Sequence, residues 1–419
     1  MSLIKYNFES KHINFRIFGI LFHIPYNSFY LYIVKKILKK RLSRKMETIK
    51  NKQKIRVGFL VSEQSKWGYQ SIYDELASDS RFEPVILITK LYLEHSQKTT
   101  FYKKMTDCID FFRNKKMNIE LAYDEEKHKY IPIKDLNIDI LFYQQPWELD
   151  ISQHPIVASK YAITCYSAYG FDLVEFDAVY LECFHRWLDL YFTPSKSTFD
   201  YINKQKTQIE NVRIVGAPRL DDYHNTKKRK KQKKTIIYAP HHSFEKGSLR
   251  LATFSYNGKQ ILDFAKKHTE FDWVFKPHPR FKYSVIKNNI MSEKEIDKYY
   301  YEWEKIGEIK DSGDYIDLFQ NSDALITDCC AFLAEYLPSK HPVLHLVSSY
   351  AKFNSTAKEF IDSYYSIHNL EEMNNVFSDV LLNDNDYKKK ERLNKISLIF
   401  DQKEKTAFKI IKILKKDFL

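Results

Sequence analysis

The chain has 419 residues, 44% hydrophobic and 16% aromatic, which exceeds one ordinary core and excludes global disorder. Only 9 glycines are present, with no G-x-G-x-x-G or Walker A pattern, so glycine-rich dinucleotide and P-loop fingerprints are excluded. The 67 Lys+Arg against 54 Asp+Glu leave a net charge of +13, which favours anionic partners: nucleic acid, phosphorylated substrates or an acidic membrane face.

In chain order, "FRIFGILFHIPYNSFYLYIVKKILKKRLSRK" (15–45) comes first, apolar and aromatic and then strongly basic. Arg16, His23, Pro25, Asn27 and Ser28 interrupt it, so it offers no bilayer-length span, and it lacks the small-residue cleavage site of a signal peptide. Two readings stand: an interfacial segment with a basic collar, or an ordinary helix packed on the fold with a basic solvated face. The C-terminal "FKIIKILKKDFL" has the same character. Next, "KIRVGFLV" (54–61) predicts a buried strand, "SIYDELASD" a helix and "FEPVILIT" (82–89) a second strand, followed by a mixed polar stretch to about residue 135. "IDILFYQQPW" (138–147), "YAITCYSAYG" (161–170), "LYFTPS" (190–195) and "VRIVGAPRLDD" (212–222) are further strand-to-loop units. The cationic "NTKKRKKQKK" (225–234) reads as a solvated inter-domain connection.

A second series follows. "KTIIYAPHHS" (234–243), "FDWVFKPHP" (271–279) and "ALITDCC" (324–330) run from strand to loop, and "PVLHLVS" is a last strand. "GKQILDFAKKH" (258–268) and "DYIDLFQNS" (314–322) predict helices. Strands alternating with helices imply parallel sheets covered on both faces. The expected fold is therefore α/β, with two doubly wound Rossmann-like domains facing across a cleft. The divisions are a basic amphipathic N-terminal extension over 1–52, domains over 53–205 and 206–395, and an amphipathic basic helix over 396–419.

In open α/β sheets ligands bind beyond the carboxyl ends of the strands, where every polar cluster of the second half falls. In "KPHPRF" two prolines hold His278 extended, and Lys276 and Arg280 favour its neutral form and could meet phosphate charge. In "PHHS", His241, His242 and Ser243 suit phosphate or hydroxyl contacts. The two adjacent histidines are expected to point apart, so no metal site is expected. Asp328, after Thr327, can cap a new helix whose N–H groups seat an anion. Cys329 and Cys330 stand where hydroxyls would contact phosphate, and Glu335, further along, is a candidate to hold a ribose. Arg219 and Asp222 follow another strand end. On the opposite wall, Gln144, Tyr166, Ser167, Tyr169 and Gly170 are candidate acceptor contacts.

Taken together, "VGAPRLDD", "IIYAPHHS", "FKPHPRF", "SGDYIDLFQNSDALITDCCAFLAEYL" and "HPVLHL" resemble, in order and spacing over roughly 190–350, the CDP-glycerol glycerophosphotransferase family of teichoic-acid and capsule enzymes. The resemblance implies a GT-B architecture and phosphoglycerol transfer from a CDP-activated donor, without cofactor or metal. Its motifs match His278 to a histidine of donor phosphate handling or catalysis, Thr327 and Asp328 to a threonine–aspartate pair, and Arg219 to a glycine-x-proline-arginine pattern. The chain departs from the family at Cys329 and Cys330, after the proline of "YAPHHS", and in lacking a tryptophan-histidine-glycine motif, so no proton acceptor is assigned. The expected enzyme transfers phosphoglycerol or a related phospho-polyol to a hydroxyl of a lipid-linked or oligosaccharide precursor at the inner, cytoplasmic membrane surface. A GT-B glycosyltransferase using a nucleotide sugar is the alternative. A basic nucleic-acid-binding protein is the second; it is disfavoured because no such motif occurs and the polar clusters sit at strand ends.

Overall fold

The computed structural model describes residues 12–17, 20–25, 28–91, 98–171, 173–175, 183–204, 211–246, 248–310 and 315–418. Asp314 of the expected helix 314–322, and the side chains before Tyr32 in the 15–45 segment, lie outside them. A hairpin of β1 (His12–Ile17) and β2 (Ile20–Pro25) precedes a helix over Ser28–Lys50. The chain then lays down β3 (Ile55–Val61), β4 (Phe82–Ile88), β5 (Ile119–Leu121), a small hairpin of β6 (Tyr123–Asp124) and β7 (Lys129–Tyr130), β8 (Ile140–Tyr143), β9 (Ile163–Ser167), β10 (Leu190–Thr193) and β11 (Val212–Ile214). Without the small hairpin these strands form a parallel sheet of 7 strands in the order β11-β10-β9-β8-β3-β4-β5. A second parallel sheet of 6 strands takes β12 (Thr235–Ala239), β13 (Asp272–Phe275), β14 (Gly307–Ile309), β15 (Ala324–Thr327), β16 (Val343–Leu346) and β17 (Tyr365–Ile367) in the order β14-β13-β12-β15-β16-β17.

Why these segments are central strands is visible in their side chains. Successive residues of a strand face opposite ways. On β8, Ile140 and Phe142 enter one core while Leu141 and Tyr143 enter another. On β12, Ile236 and Tyr238 pack on one side and Ile237 and Ala239 on the other. Both faces are covered, so an uninterrupted apolar run is what such strands require. Each sheet reverses its winding beside its first strand, between β3 and β8 and between β12 and β15. A crevice opens at such a point, outside the carboxyl ends of the strands.

The division expected at 205/206 falls among elements of the first sheet, because β11 is its edge strand. Strand "PVLHLVS" is followed by β17, so it is not the last. The terminal helices also return to the first half. In Ser28–Lys50, Val34, Lys45 and Ile49 face inward. Lys45 Nζ meets Asp189 Oδ2 at 2.6 Å and the Ala162 carbonyl at 3.0 Å. Burial pushes the lysine pKa down and the aspartate pKa up. Breaking such a pair by removing one partner costs about 3–5 kcal/mol. Helix Thr406–Phe418 inserts Ala407, Ile410 and Leu414 into the first core. Asp221 accepts from the Thr406 and Ala407 amides at 2.7 and 2.8 Å, capping that helix from a distance. Its apolar face is therefore occupied by protein, which removes it as a lipid-facing surface. The cationic tract is likewise tied down, with Arg229 on Asp317 at 2.7 Å and Lys231 on Asp323 at 2.5 Å. No helix among the described residues is long and apolar enough to cross a membrane.

Candidate functional site

The two crevices face each other, and one cavity of about 190 Å³ lies between them. From the second sheet, Pro240 and His241 follow β12, Lys276 to Arg280 follow β13, and Cys329 to Phe332 follow β15. From the first sheet, Glu63, Ser65 and Lys66 follow β3, Trp147 follows β8, and Tyr169 and Gly170 follow β9. Tyr166 reaches the cavity from the end of β9 itself.

The histidines converge. Ring centroids of His242 and His278 are 4.0 Å apart, those of His241 and His242 4.6 Å, and those of His241 and His278 5.3 Å. One nitrogen from each lies within 4.8 Å of the others, so the expectation that adjacent histidines point apart is corrected. The bend after β12 turns both rings toward the loop after β13, where the His278 amide donates to the Pro240 carbonyl at 3.2 Å.

Three nearby nitrogens could hold a metal ion, but their protons argue otherwise. His241 Nδ1 accepts the Ser243 amide at 3.2 Å, and His278 Nδ1 accepts the Arg280 amide at 3.0 Å. An accepting Nδ1 leaves the proton of a neutral imidazole on Nε2. Both rings are neutral: burial holds His241 and His278 well below the usual imidazole range, and it brings His242 down to about 4. Lys66 and Arg280 push the His278 pKa lower still. Such a cluster presents N–H donors in a positive field, which suits an anion and opposes a second cation.

Lys276, only 5% exposed, packs its ammonium 5.0 Å from the Tyr315 ring. Arg280 crosses the cleft to Glu148 at 3.1 Å. Cys329 and Cys330 line the cavity, and burial raises the Cys329 thiol to about 12, so it is not a poised nucleophile.

Several candidates lie beneath the cavity wall instead of on it. Thr327 donates to the Ala239 carbonyl at 2.7 Å and accepts the Cys329 amide at 3.0 Å, joining β15 to β12. Asp328 does not cap the helix Cys330–Tyr336. It accepts the His241 amide at 2.6 Å, the Thr253 amide at 2.7 Å and the Thr253 hydroxyl at 2.8 Å, while burial lifts its pKa to about 6. Ser243 props His241 Nδ1 at 2.8 Å and accepts the Leu251 amide at 3.0 Å. Glu335 is 1% exposed; one oxygen accepts the Phe171 amide at 3.0 Å and the other the Tyr315 hydroxyl at 2.5 Å, so it ties the halves together and is not open to a ribose. Arg219 is 3% exposed and donates to the Tyr169 and Ser65 carbonyls at 2.9 and 3.4 Å. It stands on a turn opened by Gly216 at φ +107, where a Cβ would meet Thr406 Oγ1 at 2.7 Å.

On the first-sheet wall, Ser167 is buried within β9, outside the cavity. Gln144 turns inward: its oxygen accepts the Ser62 and Glu63 amides at 3.1 and 3.3 Å, and its nitrogen donates to the Glu63 carbonyl at 2.6 Å. It positions the wall and is not a contact. Glu63 and Lys66 themselves escaped sequence reasoning. Their signal was their place directly after the strand at 54–61, the same rule that singled out the second-half loops.

A family model for CDP-glycerol:poly(glycerophosphate) glycerophosphotransferase matches residues 181–401, more than half of the chain. No curated protein sequence matches it. Among solved structures, S. aureus MnaA with UDP superposes with a TM-score of 0.56 at 13% identity, covering 87% of this chain and 98% of that one. Neisseria meningitidis UDP-GlcNAc 2-epimerase bound to UDP-GlcNAc gives 0.53 at 13%, covering 87% and 100%. The Methanocaldococcus jannaschii UDP-GlcNAc 2-epimerase complex with UDP-GlcNAc and UDP gives 0.51 at 13%, covering 86% and 100%. At these identities the likeness establishes the fold, a GT-B pair of Rossmann-like domains.

Proposed function

The chain belongs to the CDP-glycerol:poly(glycerophosphate) glycerophosphotransferase family, and on that premise we propose that it moves a phosphoglycerol or related phospho-polyol group from a CDP-linked donor to a hydroxyl of a cell-surface glycan precursor. The observation that carries this reading is the convergence of His241, His242 and His278 with Lys276 and Arg280 at one mouth of the cleft. The Nε2 protons of His241 and His278 donate to the donor's diphosphate, and Lys276 and Arg280 neutralise its charge. His278 stabilises the departing CMP, because donors fixed before reaction act where charge develops. Phosphoryl transfer asks little more of a protein than positioning and charge neutralisation, and neither needs a bound metal here. The acceptor enters along the opposite wall, past Trp147, Tyr169 and Gly170. Its lipid-linked form is met at the cytoplasmic membrane face through the basic helix Ser28–Lys50.

The test is nucleotide release from CDP-glycerol, CDP-ribitol and UDP-N-acetylglucosamine by the purified protein. CMP release from a CDP-polyol, unaffected by EDTA, is expected. His278→Ala should lower it by about 100-fold or more. UDP release with silence on both CDP donors would overturn the reading in favour of sugar transfer, and an undiminished His278→Ala would remove that residue from the chemistry.

A further inference from the structure

We propose that Glu63 is the general base that takes the proton from the acceptor hydroxyl; the inference rests on the phosphoglycerol transfer proposed above. Attacking and leaving oxygens stand roughly in line on opposite sides of the transferred phosphorus. His241, His278 and Lys276 occupy the second-sheet wall, so the attacking hydroxyl and its base belong to the first-sheet wall. There the described polar side chains lining the cavity are Ser65, Lys66, Trp147, Tyr166, Tyr169 and Glu63. At neutral pH only the carboxylate among these is a proton acceptor.

Glu63 is also built in. Gln144, 2% exposed, clamps its amide at 3.3 Å and its carbonyl at 2.6 Å. Its carboxylate accepts from Lys66 Nζ at 3.0 Å, and Lys66 is held in turn by Gln145 Oε1 at 2.6 Å. The two neighbouring glutamines after β8 thus fix the base and its partner, at the crevice where the first sheet reverses. The Glu63 side chain keeps 14% exposure, sheltered yet reachable. The other carboxylate of this wall, Glu148, is engaged by Arg280 across the cleft and does not line the cavity.

In the step, the acceptor O–H bond gives its proton to the Glu63 carboxylate while the acceptor oxygen bonds to the phosphorus that carries the glycerol. The bond from that phosphorus to the bridging oxygen breaks, and its electron pair leaves with CMP toward the His278 N–H. Glu63 then returns its proton to solvent.

The experiment compares wild type, Glu63→Gln and Glu63→Ala with CDP-glycerol as donor and a synthetic glycerol-phosphate trimer as acceptor. It also measures CDP-glycerol binding by calorimetry. The expected result is a kcat loss of about 100-fold or more in both variants, a Kd within about twofold of wild type, and partial rescue of Glu63→Ala by formate. Wild-type kcat in the variants would overturn the base assignment while leaving the transfer reading intact. A kcat loss matched by an equal loss of CDP-glycerol binding, with no formate rescue, would overturn it in favour of a positioning role. Wild-type silence on every CDP donor would bring down the transfer reading, and this inference with it.

Discussion

The protonation of three imidazoles decides what the cleft can bind. In the free protein His242 sits near 4 against an ordinary 6.5, so this group's share of stability is present above pH 6.5 and is lost as pH falls through 4. A bound diphosphate reverses the local field and raises the His242 pKa, so the complex takes up a proton there that the free protein does not hold, while His241 and His278, whose Nδ1 atoms accept amides, stay neutral donors. CDP-glycerol, whose diphosphate does not itself titrate near neutrality, should therefore bind more tightly as pH is lowered from about 7 to about 5, with proton uptake visible by calorimetry in buffers of different ionisation enthalpy. A Kd that weakens over that range would contradict a diphosphate seated against these imidazoles. At this scale the prolines around His278 and the flanking cations were legible in sequence, because chain stiffness and charge are local. The burial of Thr327, Asp328 and Glu335 was not. A hydroxyl or carboxylate after a strand reads the same whether it meets a ligand or, as Asp328 does, the amides of two other loops.

Two lysine-rich amphipathic segments that look alike in sequence have different fates as elements. The apolar side of Thr406–Phe418 is spent on the first core through Ala407, Ile410 and Leu414. Helix Ser28–Lys50 sends Val34 and Ile49 inward but leaves Lys35, Lys36, Lys39 and Lys40 exposed beside Tyr32 and Ile33. Each cation near an anionic lipid surface contributes about 1 kcal/mol. Replacing the four lysines by glutamate should abolish co-sedimentation with vesicles containing phosphatidylglycerol and leave turnover on a dissolved acceptor unchanged. Equal sedimentation of the variant would remove this helix as the membrane contact. Amphipathicity alone cannot say whether lipid or protein covers an apolar stripe, since both offer the same solvent to it. The helix Lys98–Asn114 went unread although Met105, Cys108 and Phe112 recur at helical spacing and enter the first core, because the lysines, threonines and aspartates between them give the stretch a polar composition.

The molecule as a whole is two sheets of like winding whose reversal points oppose each other. The alternation of strand and helix was readable because fully buried parallel strands must be continuously apolar. Short strands such as β5 and β17, 3 residues each, carry too little pattern to register. The contacts between the halves, Arg280 with Glu148 and Glu335 with the Phe171 amide, join residues far apart in the chain and have no local signature. They fix the facing walls between which the donor would bind. A crystal structure with CDP-glycerol bound decides where the donor sits. Diphosphate oxygens are expected within hydrogen-bonding distance of His241 and His278 Nε2, with Lys276 adjacent. A donor seated instead in the polar hollow at the opposite end of the second sheet, beside Arg229, Lys231 and Lys310, would contradict that placement.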